Sequence, residues 1–213
     1  MSKITAIRAG KGRQQRVNLF LDGKFALSMD AEVATKAQLK TGQELTSSQM
    51  DELLMVDQRQ RCFNAAVHYL SYRPRSESEV RERLQQRGFD NQSIEATLTR
   101  LKEQALIDDT AFARFWKDNR QTFSPRSQWL TRVELSRKGI AADTIDGVVS
   151  EIDDQESAYR AALNKAHRLP RSDRSNFRRR LSYYLKSRGF NYEVINHTVE
   201  RLWQELGSNN TSS

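Results

Sequence analysis

Apolar positions recur along this chain in one pattern, three times over. Four residues before Gly88, Gly139 and Gly189 stand Leu84, Leu135 and Leu185; six after them stand Ile94, Ile145 and Ile195; ten after, Leu98, Val149 and Val199; thirteen after, Leu101, Ile152 and Leu202. The glycines are 51 and then 50 residues apart, a spacing that marks an array of like units. The +6, +10, +13 rhythm is the apolar face of a helix with a 3.6-residue period. Arg87, Lys138 and Arg188 come just before the glycines, where a cation suits the negative end of a helix, and Phe89, Ile140 and Phe190 just after, where an apolar side chain can fold back onto it. The pattern therefore predicts a helix, a glycine stop and a second helix in each unit.

Capping residues add a third helix to each repeat. In the first, a helix ends near Leu70, the capping box Ser76-Glu77-Ser78-Glu79 opens the next, and Asp90 opens the last, which ends near Gln104. In the second, Asp108 or Asp109 caps a helix bearing Phe112, Phe115 and Trp116, Ser127 caps the next, and the third covers residues 142–153. In the third, helices are predicted over 155–167, from Ser175 and from Asn191. Aromatics at helical spacing, such as Phe112, Phe115 and Trp116, are expected in the core.

The first 58 residues read differently. Two alternating runs, 17–21 and 24–29, flank Asp22-Gly23, a strong hairpin signal, and residues 4–9 supply a third strand. A short helix over 31–39 follows, then a turn at Lys40-Thr41-Gly42, then a helix capped by Thr46-Ser47-Ser48-Gln49 that runs into the first repeat. The predicted fold is mainly α. A β-hairpin plus helix segment (1–58) precedes three tandem three-helix repeats (59–107, 108–154 and 155–206), and a disordered tail follows (207–213).

Composition narrows the chemistry. One cysteine, Cys62, permits no internal disulfide, and three scattered histidines with no carboxylates at ligand spacing give no metal site. No apolar run is long enough to span a bilayer and no signal peptide follows Met1, so a cytoplasmic protein with no membrane contact is expected. Gly10-Lys11-Gly12 lacks the spacing and closing Ser or Thr of a phosphate-binding loop. No nucleophile motif, paired carboxylates or ligand set points to an enzyme, and no cofactor is implied.

Charge points instead to a binding module. The net charge is +8, and residues 157–213, with 11 basic and 4 acidic side chains, carry +7 of it. The helix before each glycine becomes more basic along the array, from +1 to +3 to +5, whereas the helix after it is acidic. Arg178-Arg179-Arg180 is the sharpest cluster. A solvated helix face is the ordinary explanation of such charge, but one-sided segregation favours a polyanion or acidic-protein footprint. A helix-turn-helix reader of duplex sequence is disfavoured, because the helix that would enter the groove carries Asp143, Asp146 and Glu151, or Glu193, Glu200 and Glu205, which phosphates repel.

These residues also carry a family resemblance. Ser71-Tyr72-Arg73-Pro74-Arg75-Ser76-Glu77, Val80-Arg81-Glu82-Arg83-Leu84, Leu106-Ile107-Asp108-Asp109-Thr110-Ala111-Phe112-Ala113 and Glu134-Leu135-Ser136-Arg137-Lys138-Gly139-Ile140 resemble the RecX family of bacterial recombination regulators. Phe177-Arg178-Arg179-Arg180-Leu181 through Arg188-Gly189-Phe190 is similar to that family's last repeat. The resemblance covers residues 60–205, and the N-terminal hairpin lies outside it. Ser124-Pro125 departs from the family pattern, standing where many relatives have a glycine ahead of an arginine.

The resemblance implies an elongated, curved array that acts, as a monomer and without catalysis, on the RecA filament formed on single-stranded DNA, suppressing ATP hydrolysis, strand exchange and co-protease function in DNA repair and the SOS response. The basic helices add the expectation of weak contact with the single strand itself. The candidate contact residues are Arg126, Arg132, Arg137 and Lys138 in the second repeat and Arg171, Arg174, Arg178, Arg179, Arg180, Lys186 and Arg188 in the third. Gly139 is expected to set the angle between the two basic helices. The alternative is a sequence-independent DNA-binding protein that competes with RecA for the strand.

Overall fold

Asp22 and Gly23, with φ of 48° and 81°, make the tight turn that their pairing predicts. They join strands β2 (Arg16–Leu21) and β3 (Lys24–Asp30), and β1 (Ser2–Ala9) pairs antiparallel with β2. A fourth strand, β4 (Glu44–Leu45), closes the order β3-β2-β1-β4, one strand more than the hydrophobic pattern reveals. Two residues are too short a run to show alternation. Helix α1 (Ala31–Lys36), capped by Asp30, and α2 (Ser47–Leu70) follow. Thr46 and Gln49 form the reciprocal capping box at the start of α2, as its sequence predicts.

The computed structural model describes residues 1–10, 16–170 and 172–208. Lys11 and Gly12, Arg171 and the tail beyond residue 208 lie outside the described residues. The chain divides into two compact units, one of Met1–Arg73 and Val80–Ile107, the other of Pro74–Glu79 and Asp108–Ser213.

In the first unit, the sheet packs its inner face, led by Ile4, Leu19 and Met29, with Val33 of α1 and Leu53 of α2. Asp57 of α2 is buried beneath it, where its carboxylate accepts the Asp30 N–H at 2.6 Å and pairs with Arg16 at 3.3 Å. A second cluster joins Cys62, Phe63 and Ala66 of α2 with Val80 and Leu84 of α3 (Glu77–Gln86), whose first turn groups with the other unit, and with Ile94, Leu98 and Leu101 of α4 (Asn91–Glu103).

The second unit holds α5 (Asp109–Phe123), α6 (Gln128–Ser136) and α7 (Ala142–Val149), then α8 (Asp154–Ala166), α9 (Arg174–Lys186) and α10 (Tyr192–Ser208). Each trio has its own core. All twelve apolar positions of the repeated pattern are buried, none more than 6% exposed. Gly88, Gly139 and Gly189 have φ of 80°, 76° and 85°, and the N–H of the residue after each donates to the carbonyl of Leu84, Leu135 or Leu185. This is the helix stop that places a glycine in the left-handed region. Phe112 is buried and Trp116 packs against the core, but Phe115 is 38% exposed, against the expectation that all three are core. At i and i+3, Phe112 and Phe115 straddle the edge of the apolar stripe.

Two like joints recur within the second unit. At the first, the buried Ser76 hydroxyl donates to the Lys138 carbonyl at 2.7 Å, and Asp109 accepts the Glu77 N–H at 2.9 Å. At the second, the buried Ser127 N–H donates to the Arg188 carbonyl at 3.1 Å, and Asp154 accepts the Gln128 N–H at 2.8 Å. Each aspartate doublet thus divides its work. Asp108 and Asp153 cap their own helices, while Asp109 and Asp154 cap the basic helix one repeat earlier. Burial, opposed by the Gln128 N–H and helped by the charge of Asp153, pushes the Asp154 carboxyl above the ordinary aspartate range.

Candidate functional site

Helix α9 has one apolar stripe and one cationic face. Phe177, Leu181 and Leu185, four residues apart, are buried against α8 and α10, which leaves Arg178, Arg179, Arg180, Tyr183 and Lys186 exposed. Asp173 caps the helix by accepting the Ser175 and Asn176 N–H groups. Asn176 Oδ1 then accepts from both Arg179 and Arg180 at 3.2 Å, and Arg178 donates to Asn196 at 3.1 Å. None of these partners carries a charge. Among the described residues, Arg178, Arg179, Arg180, Lys186 and Arg188 form no ion pair. Arg174 does, donating to both carboxylate oxygens of Glu200 at 2.8 and 2.9 Å. The Arg188 guanidinium lies 3.8 Å from the centroid of the Tyr184 ring.

The cations of the second repeat are placed differently. Glu134, half-buried, collects the Trp116 indole N–H at 2.7 Å, Arg120 at 2.8 Å and Arg126. Burial, reinforced by the charges of Arg120 and Arg188, holds Arg126 below its ordinary pKa. Lys138 pairs with Glu79 at 2.9 Å and rests 4.2 Å from the Trp116 ring centroid. Arg132 pairs with Asp146. Arg137 alone of these four candidates is exposed without an ion-pair partner among the described residues. Arg171, also a candidate, falls outside them.

Sequence reading missed the counter-charges. Arg81 and Glu95 in the first repeat, and Arg132 and Asp146 in the second, are ion pairs fourteen residues apart that link the basic helix to the acidic helix after it. The third repeat has Ser182 and Asn196 in those places. That difference is legible once the repeats are aligned on their glycines. Also missed were Tyr183 and Trp129, large side chains 78% and 62% exposed. Only the phase of the buried stripe gives them away.

A relative from Halalkalibacterium halodurans named regulatory protein RecX is 33% identical over 202 residues, matching 92% of this chain and 76% of the relative. The chain belongs to the RecX family. A Bacillus subtilis regulatory protein RecX is 30% identical over 209 residues, matching 96% of the chain and 79% of that relative. The profile of the RecX N-terminal domain matches residues 2–46, that of the first RecX three-helix domain residues 62–101, and that of the third residues 151–199. The N-terminal hairpin is therefore part of the RecX family's architecture, as a domain of its own that precedes the three-helix repeats carrying the sequence motifs. A crystal structure of regulatory protein RecX superposes with a TM-score of 0.71 at 27% identity, covering 94% of this chain and all of that one.

Proposed function

We propose that this RecX-family chain is a non-enzymatic modulator of RecA, acting in the cytoplasm as a single chain on the filament that RecA forms on single-stranded DNA and lowering its ATP hydrolysis, strand exchange and co-protease activity. The observation that carries this reading beyond family membership is the α9 face, where three consecutive arginines meet only uncharged partners. Cations left without counter-ions within their own fold favour a negatively charged partner. Arg178, Arg179, Arg180, Lys186 and Arg188 form the primary contact. Arg137 extends it, while Arg126, Arg132, Lys138 and Arg174 contribute less because each already has a carboxylate.

The test is RecA's DNA-dependent ATPase. The purified chain alone should hydrolyse no nucleotide and cut no DNA, yet depress RecA turnover at concentrations well below that of RecA. Intrinsic hydrolysis that co-purifies through every step sinks the proposal. The competing-strand reading draws on the exposed Tyr183 beside the same arginines; inhibition that appears only when the chain saturates the DNA would favour it.

A further inference from the structure

The groove between α8 and α9 combines two features that a merely solvated helix face does not need together. It is an open groove of about 590 Å³ lined by Lys165, Arg179, Arg180, Tyr183, Tyr184 and Ser187. That volume lies within the range of small-ligand sites. Tyr183 places its ring 78% in water, although the aromatics of the same repeat that serve the core, Phe177 and Trp203, meet each other edge-on at 5.2 Å. The neighbouring Tyr184 is half-buried and held under Arg188. Asn176 accepts only one N–H from each of Arg179 and Arg180, which leaves their other guanidinium donors available to an external acceptor. Among the described residues no carboxylate pairs with Lys165, Arg179 or Arg180.

Three cations round an exposed ring suit a ligand that alternates anions with flat apolar faces. An acidic peptide would use the cations and leave Tyr183 idle. Duplex DNA hides its base faces in the stack, so the ring would again have nothing to meet. An unpaired strand offers both phosphates and bases. We propose that the α8/α9 groove is a nucleotide-sized subsite for single-stranded DNA, in which Tyr183 stacks on an unpaired base and Arg179, Arg180 and Lys165 hold the flanking phosphates. This deepens the RecA reading, and rests on it only in taking the filament's strand as the natural source of the ligand.

The test is fluorescence anisotropy of two labelled probes, an oligothymidylate and an abasic strand of equal length, which share phosphates and differ in bases. Tyr183→Ala should weaken oligothymidylate binding about tenfold and leave the abasic strand nearly unchanged. Tyr183→Phe should bind as the parent does, because the ring face is retained. Arg179→Ala and Arg180→Ala should weaken both probes alike. If Tyr183→Ala binds oligothymidylate normally, or loses the same factor on both probes, the stacking site is wrong. RecA ATPase is read separately. A chain that shows Tyr183-dependent base binding but never inhibits RecA overturns the regulator reading and supports this one, whereas inhibition with strand affinity indifferent to Tyr183 does the reverse.

Discussion

At Gly139 an added β-carbon would sit 2.5 Å from Ser78 Cβ, and at Gly189 it would sit 2.6 Å from Ser127 Oγ and 2.7 Å from Leu130 Cβ, whereas at Gly88 it would meet nothing within 4 Å. All three backbones are in the left-handed region, so any side chain is strained at each. The difference is contact. Gly88→Ala should cost only the backbone strain, about 1 to 2 kcal/mol. Gly139→Ala adds a side-chain clash inside a packed joint and should cost about 2 to 5 kcal/mol. Urea denaturation of the two variants checks this, and equal losses would show that the joint yields freely. The glycine, its preceding cation and the apolar residue after it are legible in the sequence because one residue type satisfies one backbone conformation. Which glycine also meets a neighbouring helix is not legible, since that depends on where the chain returns some 60 residues away. For the same reason Gly139 does not set the angle between the two basic helices of the second and third repeats, as its position in the sequence suggests. Its turn packs on Ser78, and Gly189 is the glycine at the joint with α6.

Among the helices, α9 stands out in the sequence as the most basic element, because its charge is local. The meaning of that charge does not. In the second repeat Arg132 looks as available as Arg178, yet it spends its charge on Asp146 across the turn, and Lys138 spends its on Glu79. Net charge counted helix by helix cannot see pairs formed between helices. The capping boxes at Thr46 and Ser76 are readable because both partners lie within four residues, while Asp109 and Asp154 cap helices 32 and 26 residues upstream and leave no local signal. This division has a measurable consequence. Replacing Arg178, Arg179 and Arg180 together by Ala should flatten the dependence of log affinity on log salt for single-stranded DNA by about 2 units, at about 0.7 per lost phosphate contact. Arg132→Ala should leave that slope almost unchanged, since an exposed ion pair already screens the residue. A slope insensitive to the triple substitution would place the strand elsewhere on the chain.

For the whole molecule, the proposed contact would make the repeats a means of holding separated cations at fixed spacing. Within the second unit, Arg137 and the Arg178 to Arg188 face belong to different helical trios, and among the contacts that tie those trios are Ser127 to the Arg188 carbonyl beside Gly189, Gln128 to Asp154, and Ser157 to Gln121. The array ends where these devices run out. Asp173, the cap of the last basic helix, is exposed, unlike the buried Ser76 and Ser127, and Gly88 has no earlier repeat to meet. Such polar ends are what a stacked array needs to stay finite. Gly189→Ala forces its turn away from Ser127 and Leu130, and should therefore alter the spacing of the two cation groups while leaving the helices formed, as circular dichroism would report. A partner that touches both groups at once should feel this more than one that touches either alone. RecA ATPase inhibition should then fall several-fold further than affinity for free oligothymidylate, when both are measured well below the variant's unfolding temperature. Gly88→Ala, strained but free of contact, is the control and should leave the ratio of the two unchanged. If Gly189→Ala lowers both activities by the same factor with its helices intact, the cations act independently of one another, and fixed spacing between the repeats is not what makes the inhibitor.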